Sequence, residues 1–299
     1  MDFDQLTTFV QVAKLKSFSK AGQKVFRSQS AVSAQIRQLE QSYKAKLLDR
    51  SAKSVELTPA GVVLFDYAER LLRLRDESMQ IVADRGSVVQ GPVTFGANEA
   101  TCLYLLPDIL SEFKRRYPLV HISIYRNFSH KILQRLEEGS LDIGIVTLPL
   151  KSPNLKMHVI NRDRLRFMVS SKNPLSQRSH VTLEELASAP LIFPRMGYTR
   201  QVLDKLFRPY RSRLQVAMEL PSIGMIKTFV AADVGISIIS ESFARDQVKT
   251  GEVKLLNVEG VDLWRELALV YRRDRSLPRA VQALINMIRE SRKPVEAHD

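Results

Sequence analysis

Apolar residues Leu6, Phe9, Val10 and Ala13 recur at helical spacing and predict a first helix over a small core. Ser17-Phe18-Ser19 interrupts the pattern, and Ser19 suits an N-cap for a short helix, Lys20 to Phe26, that buries Ala21 and Val25. Ala21 and Gly22 are small, as two closely approaching helices require. Arg27-Ser28 makes a tight break, and Ser28 is placed to cap the next helix, Gln29 to Gln41. There Val32, Ile36 and Leu39 form one buried stripe, while Gln29, Ser30, Ser33 and Arg37 fall off it. Leu47 to Arg50 and Ser54 to Leu57 read as two short strands, with residues 50–53 at the tip between them.

Thr58-Pro59 predicts a helix start, with Thr as N-cap and Pro at the first helical position. A helical pattern then runs over residues 59–85, with Ala60, Leu64, Tyr67, Leu71, Leu74, Ser78 and Ile81 at alternating spacings of four and three. Such a heptad-like seam suits a partner helix. The other reading is a helix packed on its own domain. From residue 91 onward strand-like and helical runs alternate, and Gly86-Ser87 and Gly91-Pro92 punctuate the junction. The run Leu141-Asp142-Ile143-Gly144-Ile145-Val146 is of buried-strand type. The alternation predicts an α/β domain with a mostly parallel sheet covered on both faces.

Composition and motifs change this picture in four ways. With 299 residues and 44% hydrophobic positions the chain has material for two domains and is not a disordered polymer. One cysteine, Cys102, excludes an internal disulfide framework and a cysteine-based zinc cluster. The longest apolar stretch, Phe229 to Ile239, is broken by Asp233, and the N-terminus lacks a basic and apolar leader; a cytoplasmic protein with no membrane partner is expected. The five histidines show no metal spacing, and no nucleophile elbow, P-loop or dinucleotide fingerprint occurs, so neither an enzyme nor a cofactor or metal is expected.

Charge adds a partner. The 45 Lys plus Arg against 32 Asp plus Glu give a formal net charge of +13, a surface that attracts polyanions. Short hydrogen-bonding groups at the start of an exposed helix face suit base edges in a major groove about 12 Å wide. A tight turn between two short helices, with basic flanks, favours a helix-turn-helix over an ordinary polar helix face. A basic tip beside that helix suits phosphates or the minor groove.

These residues carry a family resemblance. Phe18-Ser19-Lys20-Ala21, then the run from Ser28 to Glu40, Leu47-Leu48-Asp49-Arg50, and Val55 through Gly61 resemble, in order and spacing, the N-terminus of LysR-type transcriptional regulators. The resemblance implies a winged helix-turn-helix in residues 1–58, a linker and dimerisation helix in 59–88, and an effector-binding domain in 91–299. It places Gln29, Ser33 and Arg37 toward double-stranded promoter DNA and Arg50 and Lys53 in the wing; Ser28 and Ser30, beside them at the helix start, are further DNA-binding candidates. It also implies a homodimer or homotetramer, with Leu64, Tyr67, Leu71, Leu74 and Ile81 on the dimerisation seam. Three positions depart from the pattern: Ser30 replaces a usual Pro, Ala34 an often basic residue, and Leu48 a usual Phe.

The second region resembles the type-II periplasmic-binding-protein fold of LysR effector domains. Its landmarks are Leu106-Pro107, Phe113, Tyr117-Pro118, the Leu141 run and the stretch from Val230 to Ile236, where Asp233-Val234 replaces a commoner pair. The resemblance implies lobe one over 91–162 and 265–299, lobe two over 163–264, and a hinge near 161–164 and 263–267. Ligands in open α/β folds sit beyond the C-terminal ends of strands. Three loops there offer Asn98, Glu99 and Thr101; Thr147; and Arg195, Thr199 and Arg200 as effector-binding candidates. Arg195 or Arg200 suits a small anionic effector, which Glu99 opposes. The plainer reading of each threonine is a cap and of each arginine a solvated side chain. Cys102 in a first helical turn suggests a lowered thiol pKa, or else an ordinary buried thiol. Two rivals remain: an effector-independent architectural DNA binder, and a solute-binding transport protein.

Overall fold

A computed structural model describes residues 1–49, 55–83, 88–274 and 276–291, without side chains at 77, 80, 81 and 83. Contacts divide the chain into two units, Met1–Ser87 and Val88–Asp299.

The first unit runs α1 (Phe3–Leu15), α2 (Phe18–Lys24), α3 (Gln29–Tyr43), β1 (Leu48–Asp49), β2 (Glu56–Leu57) and α4 (Pro59–Ala83). Asp2 and Gln5 form a capping box at the start of α1, and Ser28 caps α3 by accepting from the Ala31 amide. The cap of α2 is Ser17, which accepts from the Lys20 amide, rather than the expected Ser19. The helix therefore starts at Phe18 and ends before Val25, which is only partly buried. Gly22 is needed where α2 turns toward α3: a Cβ there would stand 2.6 Å from the Arg27 carbonyl oxygen. Leu6, Phe9, Val32, Ile36 and Leu39 form the core with Leu47 and Leu48. Glu40 is buried beneath the strands and accepts from the backbone amides of Leu47 (2.9 Å) and Leu48 (3.4 Å). Strands β1 and β2 pair antiparallel, Leu48 opposite Leu57.

The second unit begins β3 (Gly91–Ala97), α5 (Glu99–Tyr104), α6 (Leu106–Arg116), β4 (Val120–Arg126), α7 (Ser129–Glu137) and β5 (Ile143–Thr147). The long β6 (Leu155–Ser170) leads to α8 (Leu183–Ala187), β7 (Leu191–Pro194), α9 (Tyr198–Leu206), β8 (Val216–Leu220) and α10 (Ile223–Ala231). Then come β9 (Ser237–Ser240), α11 (Glu241–Lys249), β10 (Val253–Leu256), β11 (Leu263–Arg272) and α12 (Arg279–Ser291). The main sheet has the order β10-β6-β11-β5-β3-β4, with β9 also on β6.

That sheet is mixed rather than mostly parallel. Strand β3 pairs parallel with β4 and β5, but β11 is antiparallel to both β5 and β6. The reason is topological: β6 and β11 carry the chain out of one core and back, so they run in opposite directions. Ile160 on β6 and Leu267 on β11 belong to the core around Phe95 and Phe113. Leu165 and Leu263 belong to the core around Phe167, Phe193 and Phe207. The pairing slips between Leu267 and Ala268, opposite Ile160, so the two strands bend together where the chain changes core.

Candidate nucleic-acid interface and ligand cleft

The start of α3 presents its polar groups away from the buried stripe. Gln29, Ser30 and Arg37 are exposed and Ser33 is half-buried, whereas Val32, Ile36 and Leu39 are fully buried. Ser28 and Ser30 hydroxyls lie 3.0 Å apart, and the Gln29 amide donates to the Ser33 hydroxyl at 3.4 Å. Gln35 and Gln38 turn the other way, accepting from Thr8 (2.7 Å) and Gln5 (3.1 Å) on α1. These two bonds fix the rotation of α3 about its axis, so the exposed face is set by the packing. Arg50 and Lys53 lie outside the described residues.

Helix α4 is anchored in the first unit. Thr58 caps it, accepting from the Gly61 amide at 3.0 Å. Leu64 and Ala68 are buried in the head's own core, Lys14 pairs with Glu69 at 2.7 Å, and the Arg75 guanidinium lies 5.3 Å from the Phe3 ring centroid. Leu64 therefore faces inward, unlike Tyr67, Leu71 and Leu74 of the expected seam. The exposed apolar row is Val63 (59% exposed), Tyr67 (57%), Leu71 (37%) and Leu74 (61%). The Ile81 side chain lies outside the described ones.

The second unit holds a cavity of about 280 Å³, lined by the loops that follow β3, β5 and β7 and by residues of α10, β9 and α11. On one wall Asn98 caps α5 and its amide reaches the Thr147 hydroxyl at 3.4 Å, while the Thr147 amide donates to the Ser129 hydroxyl at 3.0 Å. Glu99 accepts from the Ser222 hydroxyl at 2.6 Å, and Arg126 stands 3.6 Å from its other oxygen. Thr199 lines the far wall with Tyr198, whose hydroxyl donates to the Trp264 carbonyl.

The other three expected residues are not among those lining the cavity. Thr101 is fully buried, packed in the protein interior. Arg195 is exposed to solvent. Arg200 is held by Asp204 at 2.9 Å and Glu219 at 2.7 Å and lies 5.4 Å from the Phe193 ring centroid. Its guanidinium is already committed to structural partners. Cys102 also departs from an activated thiol: burial pushes its pKa up, only partly opposed by Arg126.

Sequence reasoning missed Arg265, Ser240 and Phe243, which line the same cavity. The Arg265 guanidinium lies 4.6 Å from the Phe243 ring centroid and 3.9 Å from the Asp163 carboxylate. Burial lowers its pKa to about 10, which Asp163 opposes. The signal was present: Arg265 shares the strand parity of Leu267, Leu269 and Tyr271, all inward-facing.

A helix-turn-helix head, a long helix and an α/β domain with an internal ligand-sized cleft together define a transcriptional regulator. Residues 3–62 match the family described as bacterial regulatory helix-turn-helix protein, lysR family, and residues 86–293 match the LysR substrate binding domain. The chain belongs to the LysR family of transcriptional regulators. It is 30% identical over 302 residues to a probable RuBisCO transcriptional regulator of Chlorokybus atmophyticus, covering 99% of this chain and 96% of that one. It is 28% identical over 286 residues to the HTH-type transcriptional activator CmpR of Synechocystis sp., covering 95% and 93%. Among solved structures, a full-length OxyR variant from Pseudomonas aeruginosa has the same fold, with TM-score 0.74, 22% identity, and coverage of 100% and 99%. Full-length CbnR complexed with its target DNA follows, with TM-score 0.73, 20% identity, and coverage of 97% and 100%. Family and relatives are regulators, not enzymes. Among the described residues no helix is long and apolar enough to cross a membrane, and no group of three or more His, Cys, Asp or Glu suits a metal ion.

Proposed function

We propose that this regulator binds promoter DNA sequence-specifically and responds to a small molecule held in the cleft between two lobes of its second unit. Residues Gln29, Ser33 and Arg37 read base edges from the major groove, Ser28 and Ser30 approach the adjoining backbone, and Arg50 and Lys53 in the wing contact phosphates or the minor groove. The observation that carries this is the exposed polar face at the start of α3, rotated outward by the Thr8–Gln35 and Gln5–Gln38 bonds. The solved complex of CbnR with its target DNA supports the same use of the head.

The exposed row Val63, Tyr67, Leu71 and Leu74 pairs two heads as a dimer, alone or within a tetramer, to match a partly palindromic site. Asn98, Glu99, Thr147 and Thr199 face the ligand. Ligand binding favours one arrangement of the lobes and so changes the spacing or bend at DNA. Selection of bound genomic fragments, followed by footprinting, tests this reading: it predicts a short inverted-repeat footprint upstream of a gene. The net charge of +13 favours a second reading, an effector-independent architectural binder. Broad, sequence-indifferent protection that vanishes with modest salt would put that reading ahead.

A further inference from the structure

Two polar groups in the wall of the cleft leave buried atoms without a hydrogen-bond partner among the described residues. The Arg265 side chain is 6% exposed, and its Nε and one terminal nitrogen make no hydrogen bond. The Ser240 hydroxyl is likewise buried without a partner. Strand pairing brings them to one neighbourhood: Arg265 stands opposite Asp163 on β6, and Ser240 stands opposite Leu165, two residues further along.

A buried guanidinium is costly unless it is both paired and hydrogen-bonded. Asp163 supplies only the first at 3.9 Å, because its carboxylate accepts from the Ser242 hydroxyl and faces the Ser242 amide. Unpartnered donors gathered in a cavity wall call for an acceptor from outside the chain. A guanidinium fork matches a carboxylate with two parallel bonds, and a hydroxyl adds a third donor. The countercharges limit the ligand's charge: Asp163 already faces Arg265, and Glu99 lines the same cavity. Phe243, Ile226 and Ile238 make the adjoining wall apolar.

We infer that Arg265 and Ser240 anchor the carboxylate of a small organic monoanion whose apolar body lies against Phe243 and Ile226. This rests on the cleft being the effector site and replaces Arg195 and Arg200 as the anion contact.

The test titrates the full-length protein with cyclohexanecarboxylate, 4-methylpentanoate and phenylacetate, and with the three matching primary amides, by calorimetry. At least one acid should bind, with its amide weaker by about tenfold or more. Arg265→Gln should weaken the acid by about tenfold or more, while Arg195→Gln, outside the cavity, leaves it unchanged. Amides binding as tightly as acids would overturn the anchor and leave the cleft as an effector site. Acid binding undiminished in Arg265→Gln, or silence of all six compounds, would also overturn it. The promoter footprint, read separately, reports on DNA binding in either case. Should Arg265→Gln fail to fold, the acid–amide comparison on the native protein decides alone.

Discussion

Glu99 and Ser222 meet in the wall of the cleft: the serine hydroxyl donates to the Glu99 carboxylate at 2.6 Å. The same hydroxyl caps α10 by accepting from the Met225 amide at 3.4 Å, so the latch ties the start of α5 to the start of α10. A hydrogen bond to a charged group stabilises by about 1.5–3 kcal/mol when well formed. A double-mutant cycle of Glu99→Ala and Ser222→Ala, read by urea unfolding, should show coupling of about 1–2 kcal/mol. Additive effects would mean that the two residues do not hold each other.

Leu64 and Leu74 separate the two jobs of α4. Leu64→Ala removes a buried side chain from the head core and should cost about 2–4 kcal/mol of stability. Leu74→Asp alters an exposed position and should leave the melting temperature within a few degrees while weakening self-association, followed by sedimentation velocity. The reverse pattern would place the seam on the other row.

The α/β domain should lose stability in mild acid through His158. Burial lowers its pKa, with Arg289 and Lys156 acting in the same direction, and its ring nitrogen lies 3.1 Å from the Tyr271 hydroxyl. The folded pKa lies below the unfolded one, so the unfolded chain binds more protons between the two values, and stability rises with pH through that window. Urea midpoints at pH 7.5 and 5.5 should differ, and His158→Gln should narrow the difference. An unchanged difference would assign the acid sensitivity elsewhere.

Much of the head was legible because its signals are local. Ser28 beside a stripe of Val32, Ile36 and Leu39 defines α3, and Thr58-Pro59 defines the start of α4. Ser17 and Ser19 offer equally good caps, and the choice falls to Ser17, which admits Phe18 to the core as a partly buried neighbour. The inward turn of Leu64 was not legible for a related reason. Two apolar rows run down the helix side by side, and only the packing of α1 decides that Leu64 and Ala68 turn inward.

The cleft was legible as a place but less so as a set of side chains. Asn98, Glu99, Thr147 and Thr199 follow from loops at strand ends, where the fold puts its cavity. Arg200 could not be judged from the sequence, because its partners include Glu219, which only the pairing of β7 with β8 brings near. Arg265 lies within a strand rather than a loop, so the loops at strand ends do not point to it. Its burial depends on β6 and β11 crossing between the two cores.

The most direct test of the account is DNA binding by Arg37→Ala on the best genomic fragment, across a salt series and against base-substituted half-sites. Arg37 is exposed on the face of α3 assigned to DNA, so its loss should weaken binding by about 1–3 kcal/mol. With that loss should come either relaxed preference at one half-site position or a salt slope smaller by about one. Unchanged affinity, base preference and salt slope would take Arg37 out of the interface and contradict the reading of α3 as the recognition helix.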